Sequence, residues 1–388
     1  MSIPTSDRIY FPGLNGVRFI AASLVIVSHI EQFKKEEGLS NFDSNIFIGT
    51  AGEYGVSLFF VLSGFLITSL LLQENRDTGK IDIWKFYVRR MLRIWPLYYF
   101  ILICAFFILP HFMEVGGAEN AMKTSFLPKL LLFLFFLPNL ALKAFPVVPF
   151  ASQAWSIGTE EQFYLVWPWL LQKFKARLPW LLAGIPIFMI FLRKLLFGVC
   201  NQLSPGPVFR FLNMTGQFLD TFNIEFMAIG GLGAWLLFER KKRILQILFH
   251  PISQFVLFGI LAVSLGTGLF GHVKLRYLFN ALLFTALILN LAGNDKSVLK
   301  LENRLFRFMG KISYGLYMYH AICFYLLFHF FKQEVSESNS ITWNAFLYLS
   351  VFLLTTGMAW ISYELLEKFF LRKKSRYTLV VSGDGSEN

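Results

Sequence analysis

Apolar runs of about twenty residues recur from one end of this chain to the other, and they constrain its fold more than any other feature. One such run, "GVSLFFVLSGFLITSLLL" at 55–72, contains no charged residue. A helix rises about 1.5 Å per residue, so a run of this length crosses a hydrocarbon core of about 30 Å. The pattern predicts an all-α polytopic membrane protein.

Composition favours the same class. Of the 388 residues, 55% are hydrophobic and only 15% are charged, whereas soluble domains carry about 25% charged residues. The first residues, "MSIPTSDRIYFPGLNG", lack the basic start and cleavage site of a secretory signal, so we expect the first span to be retained. The formal net charge of +12 comes from short basic clusters beside apolar runs, which predicts contact with membrane lipids and no nucleic-acid partner.

The apolar segments define the predicted spans. Ten are predicted to cross the membrane, and the short segment 126–142, which contains two prolines and a lysine, is predicted to be a re-entrant or partly inserted helix. The membrane domain covers 1–370, and we expect the basic, polar tail 371–388 to be disordered. The segments are 15–33, 55–73, 94–113, 126–142, 159–172, 179–198, 217–238, 249–270, 276–293, 312–331 and 343–366.

Basic clusters give the predicted orientation, because Lys and Arg gather in cytoplasmic loops. Ten crossings place all the clusters, and both chain termini, in the cytoplasm. Arg18 is then expected near the cytoplasmic end of its span, and His29 and the Glu160–Glu161 pair near the outer ends of theirs. The clusters are 75–93, 173–177, 239–243, 300–311 and 371–376.

The first span carries two polar side chains, Arg18 and His29, eleven residues apart. At about 100° per residue they fall within about 20° of one helix face, and they lie about 16 Å apart along it. An arginine that reaches the interface and a histidine at a helix end would explain them without a function. Polar groups inside spans are costly and usually functional, which favours a site.

Three arginines, Arg89, Arg90 and Arg93, stand where a helix enters the membrane. Arg90 and Arg93 share a face because they are three residues apart. Positive charge at a cytoplasmic helix end produces such clusters without any ligand. A clamp for an anionic ligand explains them equally well, since guanidinium forks match phosphate geometry.

Other polar residues within apolar segments are candidates for the same site. Glu160 and Glu161 stand together in "WSIGTEEQFYLVWP", and Glu225 needs a buried partner or a polar cavity. In "GKISYGLYMYHAI" three residues fall on one helical stripe, and a buried structural histidine explains the last of them as well as a catalytic one does. These are Ser313, Tyr317 and His320. The cysteines have no metal-ligand spacing, so no metal is predicted.

Five blocks, taken in order, resemble acyltransferase family 3, the integral-membrane acyltransferases that include O-antigen acetylases. They extend over nearly the whole chain. The family pattern of a basic residue, ten residues and a histidine falls on Arg18 and His29, and its Arg-x-x-Arg pattern falls on Arg90 and Arg93. The blocks are "LNGVRFIAASLVIVSH", "GVSLFFVLSGFLIT", "YVRRMLRIWPLYY", "WSIGTEEQFYLVWP" and "GKISYGLYMYH".

The resemblance implies a bacterial inner-membrane enzyme that transfers an acyl group, most often acetyl, from cytoplasmic acyl-CoA to a hydroxyl of a saccharide or glycolipid. His29 is then the expected general base, with Glu160 or Glu161 orienting it. Arg89, Arg90 and Arg93 are expected to hold the coenzyme phosphates, and Arg18 to assist along the donor's route or to polarise the thioester carbonyl. A secondary transporter or flippase for glycans or lipid-linked intermediates fits the same spans on physical grounds. The acceptor, the acyl chain length and a covalent intermediate are left open.

Overall fold

The predicted all-α architecture is confirmed. The computed structural model describes residues 10–112, 125–268, 273–337 and 341–378, and within these ranges there is no strand. The α-helices are α1 (Leu14–Glu36), α2 (Ile46–Thr78), α3 (Ile83–Ile103), α4 (Leu109–Phe112), α5 (Phe126–Leu134), α6 (Pro138–Ala144), α7 (Ala154–Lys173), α8 (Leu178–Cys200), α9 (Pro207–Phe222), α10 (Ile224–Phe238), α11 (Lys242–Phe249), α12 (Pro251–Thr267), α13 (Val273–Gly293), α14 (Arg304–Lys311), α15 (Ser313–Glu337), α16 (Ile341–Ser362) and α17 (Lys368–Lys374). Short π-helical turns join α3 to α4 and α16 to α17.

The predicted count of ten spans is not confirmed. Within the described part of the chain, seven helices are long and apolar enough to cross a membrane, or eight if α11 and α12, bent by 68°, form one span. The difference lies in α7 and α15, which have 20 and 25 residues but are not among these seven or eight. Both helices carry several polar candidate residues, which lower their apolar content. The chain is nevertheless a multi-pass membrane protein by its helices.

The segment predicted to be re-entrant is broken. It forms α5 and α6, with 9 and 7 residues, and neither is long enough to span. Hydroxyls from α3 satisfy carbonyl oxygens at the end of α5: Tyr98 donates to Phe133 O at 2.7 Å and Tyr99 to Leu134 O at 3.1 Å. These contacts meet the requirement that a broken helix be buried against its neighbours.

Helix α2 lies at the centre of the bundle because glycines let other backbones approach it. A Cβ added to Gly64 would lie 1.9 Å from the carbonyl oxygen of Met227 in α10. In return, a Cβ added to Gly230 in α10 would lie 2.0 Å from the carbonyl oxygen of Val61. Small residues at such positions are typical of membrane helix pairs. This close contact holds α2 and α10 together, and the helices of the site pack against α2.

The helices extend beyond the apolar runs. Helix α3 begins at Ile83, where the Asp82 side chain accepts a hydrogen bond from Lys85 N, so the basic stretch before residue 94 is helical. The tail expected to be disordered from residue 371 also begins as helix, which continues through α17 to a 3₁₀ turn ending at Tyr377. Its last residues, 379–388, lie outside the described residues.

Candidate active site

One cavity collects most of the predicted site residues. It has a volume of ≈ 110 Å³ and lies between α1, α2, α3, α7 and α15. We call it the arginine cavity. Its polar lining residues are Arg18, Ser63, Arg90, Arg93, Ser156, Glu160, Tyr164, Ser313, Tyr314 and Tyr317. Three arginines face one glutamate, which leaves a formal surplus of two positive charges around the cavity.

The arginines are differently held. Arg18 donates from Nη1 to Asn15 Oδ1 at 3.0 Å, one turn earlier on the same helix. The Arg90 guanidinium lies 5.9 Å from the ring centroid of Tyr164, and its Nε has no hydrogen-bond partner among the described residues. Within the same part of the chain, no hydrogen bond or ion pair engages Arg93. A buried donor without a partner, such as Arg90 Nε, is costly, and the half-buried Arg93 guanidinium also has hydrogen-bonding capacity, so the two suit an anionic ligand.

The glutamate pair divides between two environments. Glu160 lines the arginine cavity and accepts hydrogen bonds from Ser63 Oγ at 2.8 Å and Tyr164 Oη at 2.9 Å. Glu161 accepts from Trp95 Nε1 at 2.9 Å and is not among the residues lining the cavity. Successive residues point about 100° apart on a helix, which explains the division. Glu160 is therefore the member placed to meet a ligand.

Arg89, predicted as a third arm of an anion clamp, has another partner. Its Nη2 lies 2.7 Å from Glu74 Oε2, and its Nη1 donates to Tyr377 O at 2.9 Å. Both side chains of the ion pair are nearly buried, at 9% and 2% exposure. Arg89 thus ties the end of α2 and the tail to α3, and its guanidinium does not reach the arginine cavity.

The two intramembrane histidines of the predicted site are in contact. His29 Nδ1 lies 2.7 Å from His320 Nε2, and the rings are stacked with centroids 5.0 Å apart. His320 is fully buried, and its Nδ1 lies 2.6 Å from Tyr317 O. A carbonyl oxygen only accepts, so Nδ1 of His320 carries the proton and its Nε2 accepts from Nδ1–H of His29 when both rings are neutral. This leaves Nε2 of His29 as the unprotonated nitrogen.

The expected contact between a glutamate and His29 is not formed. The hydrogen-bond partners of Glu160 and Glu161 within the described residues are Ser63, Tyr164 and Trp95. His29 is instead in contact with His320. The glutamate side chains leave α7 toward α2 and α3, whereas His29 faces α15, so the two groups serve different parts of the site.

Ser313 and Tyr317 line the arginine cavity as one stripe of α15. Ser313 Oγ donates to Gly310 O at 2.7 Å, and Tyr317 Oη lies 2.6 Å from Ser156 Oγ. The Tyr317 carbonyl also accepts a hydrogen bond from His320, so Tyr317 connects the cavity to the histidine pair. Tyr317 and His320 are three residues apart, which is about one turn of α15.

Glu225 lies outside the arginine cavity. Its buried partner is Arg193, whose Nη1 is 2.8 Å from Glu225 Oε1, and Lys274 Nζ is 3.8 Å from the same oxygen. Arg193 also donates to Leu219 O at 2.8 Å. The need for a buried partner is thereby met, and Glu225 is best described as support for the end of α9 and for Lys274.

Several cavity residues escape sequence reasoning. Ser63 stands in a run of small residues that indicates helix packing, as Gly64 beside it does. Tyr164 has a usable signal, since it follows Glu160 by four residues and shares its face. Ser156 shows no signal apart from lying in an apolar segment, and neither does Trp95, which lies outside the cavity and donates to Glu161. No group of three or more His, Cys, Asp or Glu side chains is placed to hold a metal ion in the described ranges.

Known proteins resemble this chain over most of its length. O-acetyltransferase OatA of Staphylococcus aureus strain MRSA252 is 26% identical over 409 residues, which cover 96% of this chain and 61% of OatA. OatA of strain NCTC 8325 is 27% identical over 92% of this chain and 57% of its own length. A putative O-acetyltransferase of strain COL is 32% identical over 42% of this chain and 25% of the relative.

The chain therefore spans less than two thirds of the length of these relatives. No solved structure matches it. A family model described as an acyltransferase domain matches residues 11–364, which include every residue of the arginine cavity and both histidines. The chain belongs to acyltransferase family 3.

Proposed function

We propose that this protein is a membrane O-acyltransferase that moves an acetyl group from acetyl-CoA to a hydroxyl of a cell-envelope saccharide. The observation that carries the proposal is the arginine cavity, with its surplus of positive charge, joined through Tyr317 to a histidine pair in which Nε2 of His29 is unprotonated. The similarity to OatA, named an O-acetyltransferase, supports acetyl as the group transferred.

The donor binds through the arginines. Arg90 and Arg93 form charge-assisted hydrogen bonds to the coenzyme phosphates, since guanidinium forks match phosphate oxygens. The cavity volume of ≈ 110 Å³ is below the ~300 Å³ of a pocket for a whole drug-sized ligand. The phosphates therefore remain at its mouth, and only the acyl-bearing arm of the coenzyme enters. Arg18, whose Nη1 donates to Asn15 one turn earlier on α1, adds a third positive charge along the donor's route through the cavity.

His29 acts as the general base. Its Nε2 takes the proton of the acceptor hydroxyl as the hydroxyl oxygen attacks the thioester carbon. The imidazolium that forms is stabilised because its Nδ1–H points at Nε2 of His320. The C–S bond then breaks, an ester is formed, and His29 returns the proton to the departing thiolate as coenzyme A. His320 positions the ring in this scheme, as the buried carboxylate does in a serine protease triad.

The basic clusters support a cytoplasmic site for the donor and the cytoplasmic membrane as location, with both termini inside. In this orientation the arginine cavity is nearer the cytoplasm, because Arg18 stands one turn from the start of α1 and Arg90 near the start of α3. The histidine pair then lies deeper in the membrane. An acceptor on the outer side would approach it from the opposite direction.

Transfer of label tests the proposal against the transporter alternative. Membranes that contain the protein, and membranes without it, receive acetyl-CoA labelled in the acetyl group together with envelope glycans. We expect ester-linked label in the glycan fraction only with the protein present, and release of free coenzyme A in equal amount. Glycan that crosses the membrane without gaining label would contradict the proposal and support translocation.

A further inference from the structure

A second cavity lies beside the arginine cavity and has no assigned role. It has a volume of ≈ 380 Å³ and is formed by the first half of α2, the α9–α10 junction, the start of α7 and the start of α13. Apart from Val56, its lining residues are of two kinds, aromatic rings and polar or charged groups. They include Glu53, Trp155, Asp220, Lys274 and Tyr277.

The two cavities follow one another along α2. Val56 and Phe60 line both, while Glu53 and Ser57 face only the second cavity and Ser63 only the arginine cavity. The ten residues between Glu53 and Ser63 correspond to about 15 Å of helix. A thin wall of apolar side chains therefore separates a compartment rich in arginine from one of mixed charge.

His29 lies close to this wall. Its Cδ2 would be 3.9 Å from a Cβ placed on Gly52, the residue before Glu53. Gly52 shares a face of α2 with Val56, four residues later, and Val56 lines both cavities. His29 therefore packs on the face of α2 that lies between the two cavities.

The second cavity offers no surplus of positive charge to an anion. Its charged lining residues are two acids, Glu53 and Asp220, and one base, Lys274. Asp220 Oδ1 lies 3.4 Å from Arg193 Nε, and Lys274 shares Glu225 with Arg193, so both have partners of opposite charge. An uncharged ligand that donates hydrogen bonds is therefore favoured over a phosphate.

One carboxylate in the cavity has free hydrogen-bonding capacity. Glu53 has no hydrogen-bond or ion-pair partner within 4 Å among the described residues, and it faces the open space. A carboxylate accepts from two hydroxyl groups at once. The Trp155 and Tyr277 rings provide apolar faces that suit the C–H groups of a sugar ring.

We propose that the second cavity binds an uncharged sugar ring of the acceptor, with its hydroxyls on Glu53 and its C–H face on Trp155 and Tyr277. The inference rests on the proposed acyl transfer and adds to it the place and the charge class of the acceptor. Donor and acceptor then bind in separate cavities. The acetyl group is transferred from one cavity to the other past the side chains of Val56 and Phe60, which line both.

The test separates binding of the acceptor from use of the donor. The probe is the glycan fraction that the wild-type protein labels, titrated against purified Glu53→Ala and Trp155→Ala proteins that elute as the wild type does. Glu239→Ala and Trp180→Ala, at exposed positions outside both cavities, are matched controls. Acetyl-CoA hydrolysis without acceptor is measured in parallel.

We expect Glu53→Ala to raise KM for the glycan about tenfold or more, as loss of hydrogen bonds to a charged group does. KM for acetyl-CoA and its hydrolysis without acceptor should stay at the wild-type values. Raising the ionic strength from about 0.05 to 0.3 M should weaken use of acetyl-CoA, which is an anion, but leave KM for an uncharged glycan unchanged, because salt screens only interactions between charges.

If Glu53→Ala and Trp155→Ala both leave KM for the glycan unchanged, the proposed acceptor site is wrong, although the proposed acyl transfer is unaffected. A KM for the glycan that rises with salt as steeply as that for acetyl-CoA would overturn the uncharged class of ligand. If the wild type labels no glycan above protein-free membranes, the proposed function fails, and the acceptor site fails with it.

Discussion

His29 Nδ1 lies 2.7 Å from His320 Nε2, and this contact joins two helices whose histidines are 291 residues apart in the chain. The direction of the hydrogen bond follows from the carbonyl of Tyr317, which only accepts and therefore fixes the proton on Nδ1 of His320. His29 is thereby presented with a free Nε2, as a base requires.

Replacing His320 tests this relationship. We expect His320→Ala to lower kcat about 100-fold, because the imidazolium of His29 loses its acceptor and its orientation. KM for acetyl-CoA should change little, since the arginine cavity is intact. His320→Gln should recover part of the rate, because an amide oxygen can accept from His29. Equal rates for His320→Ala and the wild type would show that the pair is only structural.

Replacing Arg93 and replacing Arg89 should have different effects, the first on donor binding and the second on stability, although both arginines lie near the start of α3. Arg93→Ala should raise KM for acetyl-CoA about tenfold or more, because a charge-assisted contact to phosphate is lost. Arg89→Ala should instead lower Tm, since Glu74 would be left as a buried, unpaired charge at a cost of about 3–5 kcal/mol. Steady-state kinetics and thermal unfolding in detergent measure the two effects. A shift of KM by Arg89→Ala in the folded protein would contradict the assignment.

The adjacent glutamates offer a second matched pair. Glu160→Gln should lower kcat about tenfold, because the carboxylate that holds Ser63 and Tyr164 in the cavity is lost, while KM for acetyl-CoA does not rise. Glu161→Gln retains an acceptor for Trp95 and should remain within about twofold of the wild type. Initial-rate measurements check this. A larger loss of kcat in Glu161→Gln than in Glu160→Gln would show that the site lies on the face of α7 that carries Glu161.

Close packing of α2 against α10 predicts a steric effect on stability. Gly64→Ala and Gly230→Ala each place a methyl group within 2.0 Å of a backbone oxygen, so we expect losses of about 1–3 kcal/mol or more. Gly184→Ala is the control, since no atom lies within 4 Å of the added Cβ. Thermal unfolding of the purified variants checks this. An unchanged Tm for Gly64→Ala would mean that α2 and α10 can separate without cost.

Much of the site can be predicted from the sequence because membrane spans make polar residues conspicuous. Polar side chains in or beside apolar segments indicate Arg18, Arg90, Arg93 and Glu160 as site residues, and all four line one cavity. Spacing within one helix carries this information, since residues three or four apart share a face.

Contacts between distant helices carry no such signal. Arg89 pairs with Glu74, and His29 with His320, because of the way their helices are rotated against one another. The apolar pattern of a single helix does not specify that rotation. The predicted count of ten spans is not confirmed for a related reason. Helices α7 and α15 carry the polar groups of the site and are less apolar for it, so composition alone cannot assign them to the membrane.

The central claim is that His29 removes the acceptor proton during transfer from acetyl-CoA. The most direct measurement is the rate of labelled acetyl transfer to envelope glycan by purified wild-type, His29→Ala and His329→Ala proteins in lipid nanodiscs, at matched folded amounts. His329 is exposed and stacks on no residue of the site, so its replacement controls for loss of a histidine. We predict that His29→Ala loses at least about 100-fold in kcat while His329→Ala keeps the wild-type rate. Equal transfer by the His29→Ala and wild-type proteins would contradict the account.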